Sequence, residues 1–307
     1  MSVPCPHIRP STRQRRCPLR VVAEAFTLIE LLVVIAVIAL LVGILLPSLA
    51  KARSTARTTR ELAAASQLLI AYTAYADDHR GAILPGLVPA EWVSATGKME
   101  VLDAGGERII GPEARRWPWR LAPYLDYNFS GLYASNELLA ALREDKTGPT
   151  HTYFVSLFPS LGLNAEFLGG SEFAFNPAFR AIYGKYHIER LDQAQRPDMM
   201  VTFATAKTQD FWYANWDAKE KNGWYEVLAP RFPAPGSDAT GRLWASRYDP
   251  NSVDPRRNSG FVHFRHEKRA IASHLDGHAQ THTWESLQDM RRWASQAKSE
   301  DWTLPKR

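Results

Sequence analysis

The chain has 307 residues, of which 45% are hydrophobic and 22% charged, and its formal net charge is +5. That composition is globular and excludes both wholesale disorder and a multi-span membrane protein. The charge is local: residues 1–25 hold Arg9, Arg13, Arg15, Arg16 and Arg20 against Glu24, so +4 of the +5 sits there and +1 is left for residues 26–307. That remainder is too small for an electrostatic nucleic-acid footprint, so no nucleic-acid partner is expected. Both cysteines, Cys5 and Cys17, lie in the same stretch, and a chain without it has no thiol, disulfide or Cys-ligated metal.

Residues 26–47 read FTLIELLVVIAVIALLVGILLP, and Leu31 to Leu46 carry no polar side chain. With Phe26 to Ile29 added, the run is long enough to cross a ~30 Å hydrocarbon core at ~1.5 Å per residue. Glu30 is its costly member, since an unpartnered carboxylate one turn into an apolar span costs roughly 2.5–3.5 kcal/mol on insertion scales. Two readings offset that cost. Cleavage just before Phe26 creates an α-amino group, the chain's own or a neighbouring subunit's, that pairs with the carboxylate; otherwise Glu30 lies at headgroup level and is solvated.

The segment Ala25-Phe26-Thr27-Leu28-Ile29-Glu30-Leu31-Leu32-Val33-Val34-Ile35 resembles the class III signal of type IV prepilins and type II secretion pseudopilins. The resemblance implies that residues 1–25 are a leader, cut between Ala25 and Phe26 by a prepilin peptidase that methylates the new amino group. It also implies that Glu30 guides assembly with other pilin-like subunits, and that Pro47 is the helix-loosening proline of the family. Ala25 stands where the family usually has glycine, and the leader is longer than most pseudopilin leaders.

Beyond Pro47 the helical period continues, with Leu62, Ala65, Leu69, Tyr72 and Ala76 on one stripe. Lys51, Arg53, Arg57 and Arg60 read as a solvated helical face, the alternative being contact with lipid headgroups or acidic neighbours. Tyr75 to Gly81 ends the pattern, with Gly81 as C-cap and Pro85 preventing resumption. The expected organisation is a transmembrane helix over 26–48, an amphipathic continuation over 49–80 and a globular head over 81–307. In the head, frequent prolines and glycines suit short strands and turns, and 136–144 is a short helix. The aromatic stretch of Phe211, Trp212, Tyr213, Trp216, Trp224, Tyr225, Phe232, Trp244 and Tyr248 reads as packing rather than a carbohydrate-stacking surface.

Near the C-terminus, residues 269–284 read RAIASHLDGHAQTHTW, a hairpin with a type I′ turn at Asp276-Gly277. That register sets Leu275 opposite His278, Ser273 opposite Gln280 and Ile271 opposite His282, and puts His274 on the other face, opposite Ala279. His274, His278 and His282 have the spacing of a helical metal row, but the hairpin separates the first from the others. His266, then nine residues, then Asp276-Gly277-His278 resembles the H-X9-DG motif of a large group of pilin-like proteins with the same signal. Tyr75 to Gly81, Tyr183-Gly184, Arg196-Pro197 and Met199 to Ala204 resemble further segments of that group. Within the motif, Asp276 is expected to accept backbone N–H groups in its turn while His266 packs or hydrogen-bonds beside it. The alternative is a calcium site such as related major pseudopilins hold, with Asp276 as a ligand; it needs six or more oxygens, and the local acids are Asp276, Glu285 and Asp289.

The expected fold is therefore α+β, a long N-terminal helix followed by a strand- and turn-rich head. The resemblance implies a pilin-like subunit of a type II secretion pseudopilus or related envelope fibre. Such a subunit is held in the cytoplasmic membrane by one span with its head outside the cytoplasm, and its partners are the prepilin peptidase, other pilin-like subunits and membrane lipid. No enzymatic motif supports an activity: there is no Gly-x-Ser-x-Gly, phosphate-binding glycine loop or His-Glu-x-x-His. No resident cofactor is expected. The alternative reading is a membrane-anchored glycan-binding domain that never polymerises.

Overall fold

Helix α1 runs unbroken from Leu28 to Asp78 and belongs to two structural regimes. The computed structural model describes residues 27–133, 149–208 and 223–307. The junction Ala25-Phe26, the leader, the expected helix at 136–144 and the aromatic residues Phe211 to Trp216 lie outside the described residues. The chain divides into two compact units, residues 1–52 and 53–307.

In the first unit the side chains from Leu28 to Leu49 are exposed and almost all apolar, and this is the one helix among the described residues that is long and apolar enough to cross a membrane. The helix continues through Pro47, which has no N–H to offer the carbonyl of Gly43.

In the second unit α1 buries one face: Glu61, Ala64, Ala65, Leu68, Leu69, Ala71, Tyr72, Tyr75 and Ala76. Ala65, Leu69, Tyr72 and Ala76 of the expected stripe are among them, and Leu62 is half-buried. The helix ends in a Schellman motif, in which Gly81 N–H donates to the Ala76 carbonyl at 2.6 Å and Arg80 N–H to the Asp77 carbonyl at 3.3 Å. The left-handed residue of that motif is Arg80, at φ 57°, so Gly81 stands one position later than a C-cap glycine would. Arg190 secures the arrangement by donating to the Arg80 carbonyl at 2.5 Å.

Four antiparallel strands follow in the order β1 Leu161–Leu163, β2 Val201–Thr205, β3 Ala270–His274 and β4 Ala279–His282. Short helices surround them: α2 Pro112–Arg115, α3 Trp117–Leu121, α4 Pro149–Leu157, α5 Glu172–Phe175, α6 Pro177–Tyr183, α7 Pro255–Ser259 and α8 Trp284–Leu287. Every residue of β2 and β3 is buried, as expected of strands covered on both faces. Phe203 of β2 receives the ring of Tyr72 edge-on at 5.5 Å and that of Trp117 at 5.1 Å, which joins α1, α3 and the sheet in one core. The fold is α+β. The described rings of the aromatic stretch are packing elements: Phe232 is fully buried among Phe167, Phe173, Phe179 and Tyr186, and Trp244 stacks on Trp284 at 4.9 Å.

The hairpin differs from expectation by one residue. Ser273 pairs with Ala279, Ala272 with Gln280 and Ile271 with Thr281, so the loop is Leu275-Asp276-Gly277. Gly277 N–H closes onto the His274 carbonyl at 2.9 Å, and Gly277 has φ 110° while Asp276 does not enter the positive region. This is the three-residue hairpin form, in which a glycine follows the turn, and not type I′. The cause lies outside the hairpin: Leu275 N–H donates to the Met200 carbonyl at 3.0 Å and Asp276 N–H to the Pro197 carbonyl at 3.2 Å, which draws both residues out of the ladder. A one-residue slip reverses the faces of a strand, so His274 and His282 come together.

Candidate functional site

At the start of α1, Thr27 and Glu30 form a reciprocal capping box. Glu30 N–H donates to Thr27 Oγ1 at 3.2 Å, while the Glu30 carboxylate accepts from Thr27 N–H at 2.9 Å and from Thr27 Oγ1 at 2.7 Å. Glu30 thus has a partner within its own chain, and a carboxylate at a helix N-terminus is also favoured by the helix dipole. A helix that merely anchors the chain gains from this residue, so its presence does not by itself demand a partner subunit. Thr-x-x-Glu before an apolar run was the signal in the sequence.

At the other end of the chain, the histidine of the C-terminal motif reaches α1 rather than the Asp276 turn. His266 Nε2 is hydrogen-bonded to Glu61 Oε2, and His266 Nδ1 lies 3.0 Å from Thr58 Oγ1. Arg265 completes the grip, with its Nε and Nη2 3.0–3.2 Å from the Glu61 oxygens. The same guanidinium donates to the carbonyls of Ala206 and Ser160, both at 3.1 Å, so one side chain ties α1 to the chain around β1 and β2. Burial alone would raise the Glu61 carboxyl, but the His266 hydrogen bond and the charge and hydrogen bonds of Arg265 outweigh it and hold the group at about 2. Burial and the Arg265 charge push neighbouring His263 down to about 3, which keeps it neutral beside the guanidinium.

His266 sits at one end of a tight turn through Glu267 and Lys268, at φ 51° and 63°, with Arg269 N–H on the His266 carbonyl at 2.9 Å. Positive φ at both central residues is the type I′ signature, found here in two residues that sequence gives no reason to place there. From this turn, five residues of β3 cover ~16 Å at ~3.3 Å each and arrive at Asp276-Gly277. The nine residues between His266 and Asp276 are thus a turn, one strand and Leu275, between a helix anchor and a hairpin tip.

At the tip, Asp276 Oδ1 accepts from the His278 backbone at 3.2 Å and lies 2.7 Å from His278 Nδ1. These hydrogen bonds outweigh its partial burial and lower the carboxyl. Both side chains are partly exposed. Among the described residues no group of three or more His, Cys, Asp or Glu side chains is placed to hold a metal ion, and Asp289 is engaged by Arg291 at 2.8 Å. Pro197 and Met200 accept from the tip, and neighbouring Arg196 donates to the Ala297 carbonyl at 2.6 Å.

Comparison with family models, curated proteins and solved structures finds no match to this chain. The functional reading therefore rests on the residues themselves. Sequence reasoning passed over Glu61, although it is the lone acid of α1 between Glu30 and Asp77 and falls on the apolar stripe.

Proposed function

We propose that this chain is a pilin-like subunit, cleaved and N-methylated before Phe26, held in the cytoplasmic membrane by the first half of α1, and assembled through that half into a secretion pseudopilus or related envelope fibre. One observation carries the reading: the helix that opens at Leu28, with Glu30 in its first turn, exposes its apolar residues from Leu28 to Leu49, while its continuation from Glu61 is a core element of the head. An apolar face of that length needs either lipid or other helices around it. The glycan-binding alternative gains nothing from the described tryptophans, each of which is buried or half-buried.

The capping box sharpens the test. Glu30→Gln keeps the acceptor that caps Thr27 and removes the charge that would pair with a neighbour's amino group. Residues 26–307 contain no cysteine, so single cysteines at Ile38 or Leu45 give clean crosslinks in native membranes. Assembly predicts that Glu30→Gln and Glu30→Ala both insert normally and both lose crosslinks to pilin-like subunits. Crosslinks that persist in Glu30→Gln would reduce Glu30 to a helix cap, and a wild-type chain that gives no crosslinks to pilin-like subunits would remove the filament reading.

A further inference from the structure

The register slip of the hairpin brings together two histidines that the motif does not use. His274 and His282 are both buried, and their Nε2 atoms lie 2.9 Å apart. His274 Nδ1 is 3.0 Å from the Met199 carbonyl and His282 Nδ1 is 3.1 Å from Ser286 Oγ. A carbonyl only accepts, so His274 carries its proton on Nδ1 and presents a bare Nε2. His282 must then donate from Nε2 and accept the Ser286 hydroxyl at Nδ1. One tautomer of each neutral ring satisfies the whole chain from Ser286 through His282 and His274 to Met199.

We propose that this pair is an acid-operated release of the C-terminal hairpin: a proton on each of the two histidines breaks the relay, and β4 and α8 then separate from β3. One proton is accommodated: His282 charged at Nδ1 donates to the Ser286 oxygen, whose hydroxyl turns away, and still donates from Nε2 to His274. A second proton, on His274 Nε2, sets two N–H groups facing each other across 2.9 Å. The groups around the pair oppose the added charge. His278 stacks on His274 at 4.3 Å, and Arg292 and Arg269 add positive charge from the segments on either side. The carboxylate that faces the pair, Asp276, is already bonded to His278. Burial, with those charges, pushes His274 down to about 4 and His282 to about 3. Both groups are bases lowered by folding, so their contribution is complete above about pH 6.5 and is lost as pH falls towards those values.

The test uses the full chain in detergent micelles with 15N-labelled histidine. At pH 7.5 one ring should be protonated at Nδ1 and its partner at Nε2, and neither should titrate above pH 5. Amide exchange over Ala279 to His282, corrected for its intrinsic pH dependence, should accelerate below pH 6.5 by up to about tenfold per pH unit for each proton taken up. The double variant His274→Asn, His282→Gln should lose that extra acceleration. Two rings in the same tautomer, a ring titrating near 6.5, or equal acceleration in the variant would each overturn the proposal; the tautomer measurement needs no variant and stands if the variant fails to fold.

Discussion

The two ends of β3 are both turns with positive φ, yet they are stabilised by different means. At the tip, Gly277 takes φ 110° with nothing within 4 Å of where a Cβ would sit, so the conformation costs little and the turn is partly solvated. At the base, Glu267 and Lys268 take positive φ with ordinary side chains, at a cost of roughly 1–2 kcal/mol each. The buried Glu61, Arg265 and His266 network holds that base against α1 and offsets the strain. A glycine marks the turn that is locally satisfied, whereas the turn joined to the helix has no local mark.

Substitution costs most at the base. Glu61→Ala strips a buried guanidinium of its carboxylate and should destabilise the head by about 3–5 kcal/mol, read as a fall in thermal midpoint of the full chain in micelles. Glu61→Gln should cost less, because its amide oxygen still accepts from Arg265. An equal loss in both would assign the effect to packing rather than charge. The same network has its own acid window: the Glu61 carboxyl is lowered by folding, so its contribution is complete above about pH 4.5 and is lost as pH falls towards 2. Wild type and Glu61→Gln should therefore converge in stability across that window.

At the tip, Gly277→Val should cost about 1–3 kcal/mol from backbone strain alone, since the site has room for the side chain. Lys268→Gly is the reciprocal change and should raise stability by up to ~1 kcal/mol, because relief of the left-handed conformation exceeds the added entropy of the unfolded chain. A loss instead would mean that the Lys268 side chain contributes more than its backbone costs. The smallest effect belongs to Asp276→Asn, within about 0.5 kcal/mol, because asparagine keeps the acceptor for His278 N–H. Melts with calcium and with chelator should agree for this variant, and a calcium-dependent loss would reinstate a cation at the tip.

What was legible in the sequence follows the same division. The apolar run, the stripe from Ala65 to Ala76 and the hairpin around Asp276-Gly277 are local patterns, and local patterns are what periodicity and turn chemistry report. The register of that hairpin was not legible, since it depends on Met200 and Pro197, more than seventy residues away. Nor was the partner of His266, because Glu61 lies 205 positions earlier and nothing in either neighbourhood names the other. The cap on Glu30 is legible as Thr-x-x-Glu before an apolar run.

The proposed processing before Phe26 is open to a direct measurement. Intact-mass and N-terminal analysis of the protein from its native host should find a chain that begins at Phe26 with one added methyl group on the amino terminus. A chain that begins at Met1, or one cut after Ala50 beyond the apolar run, would contradict it.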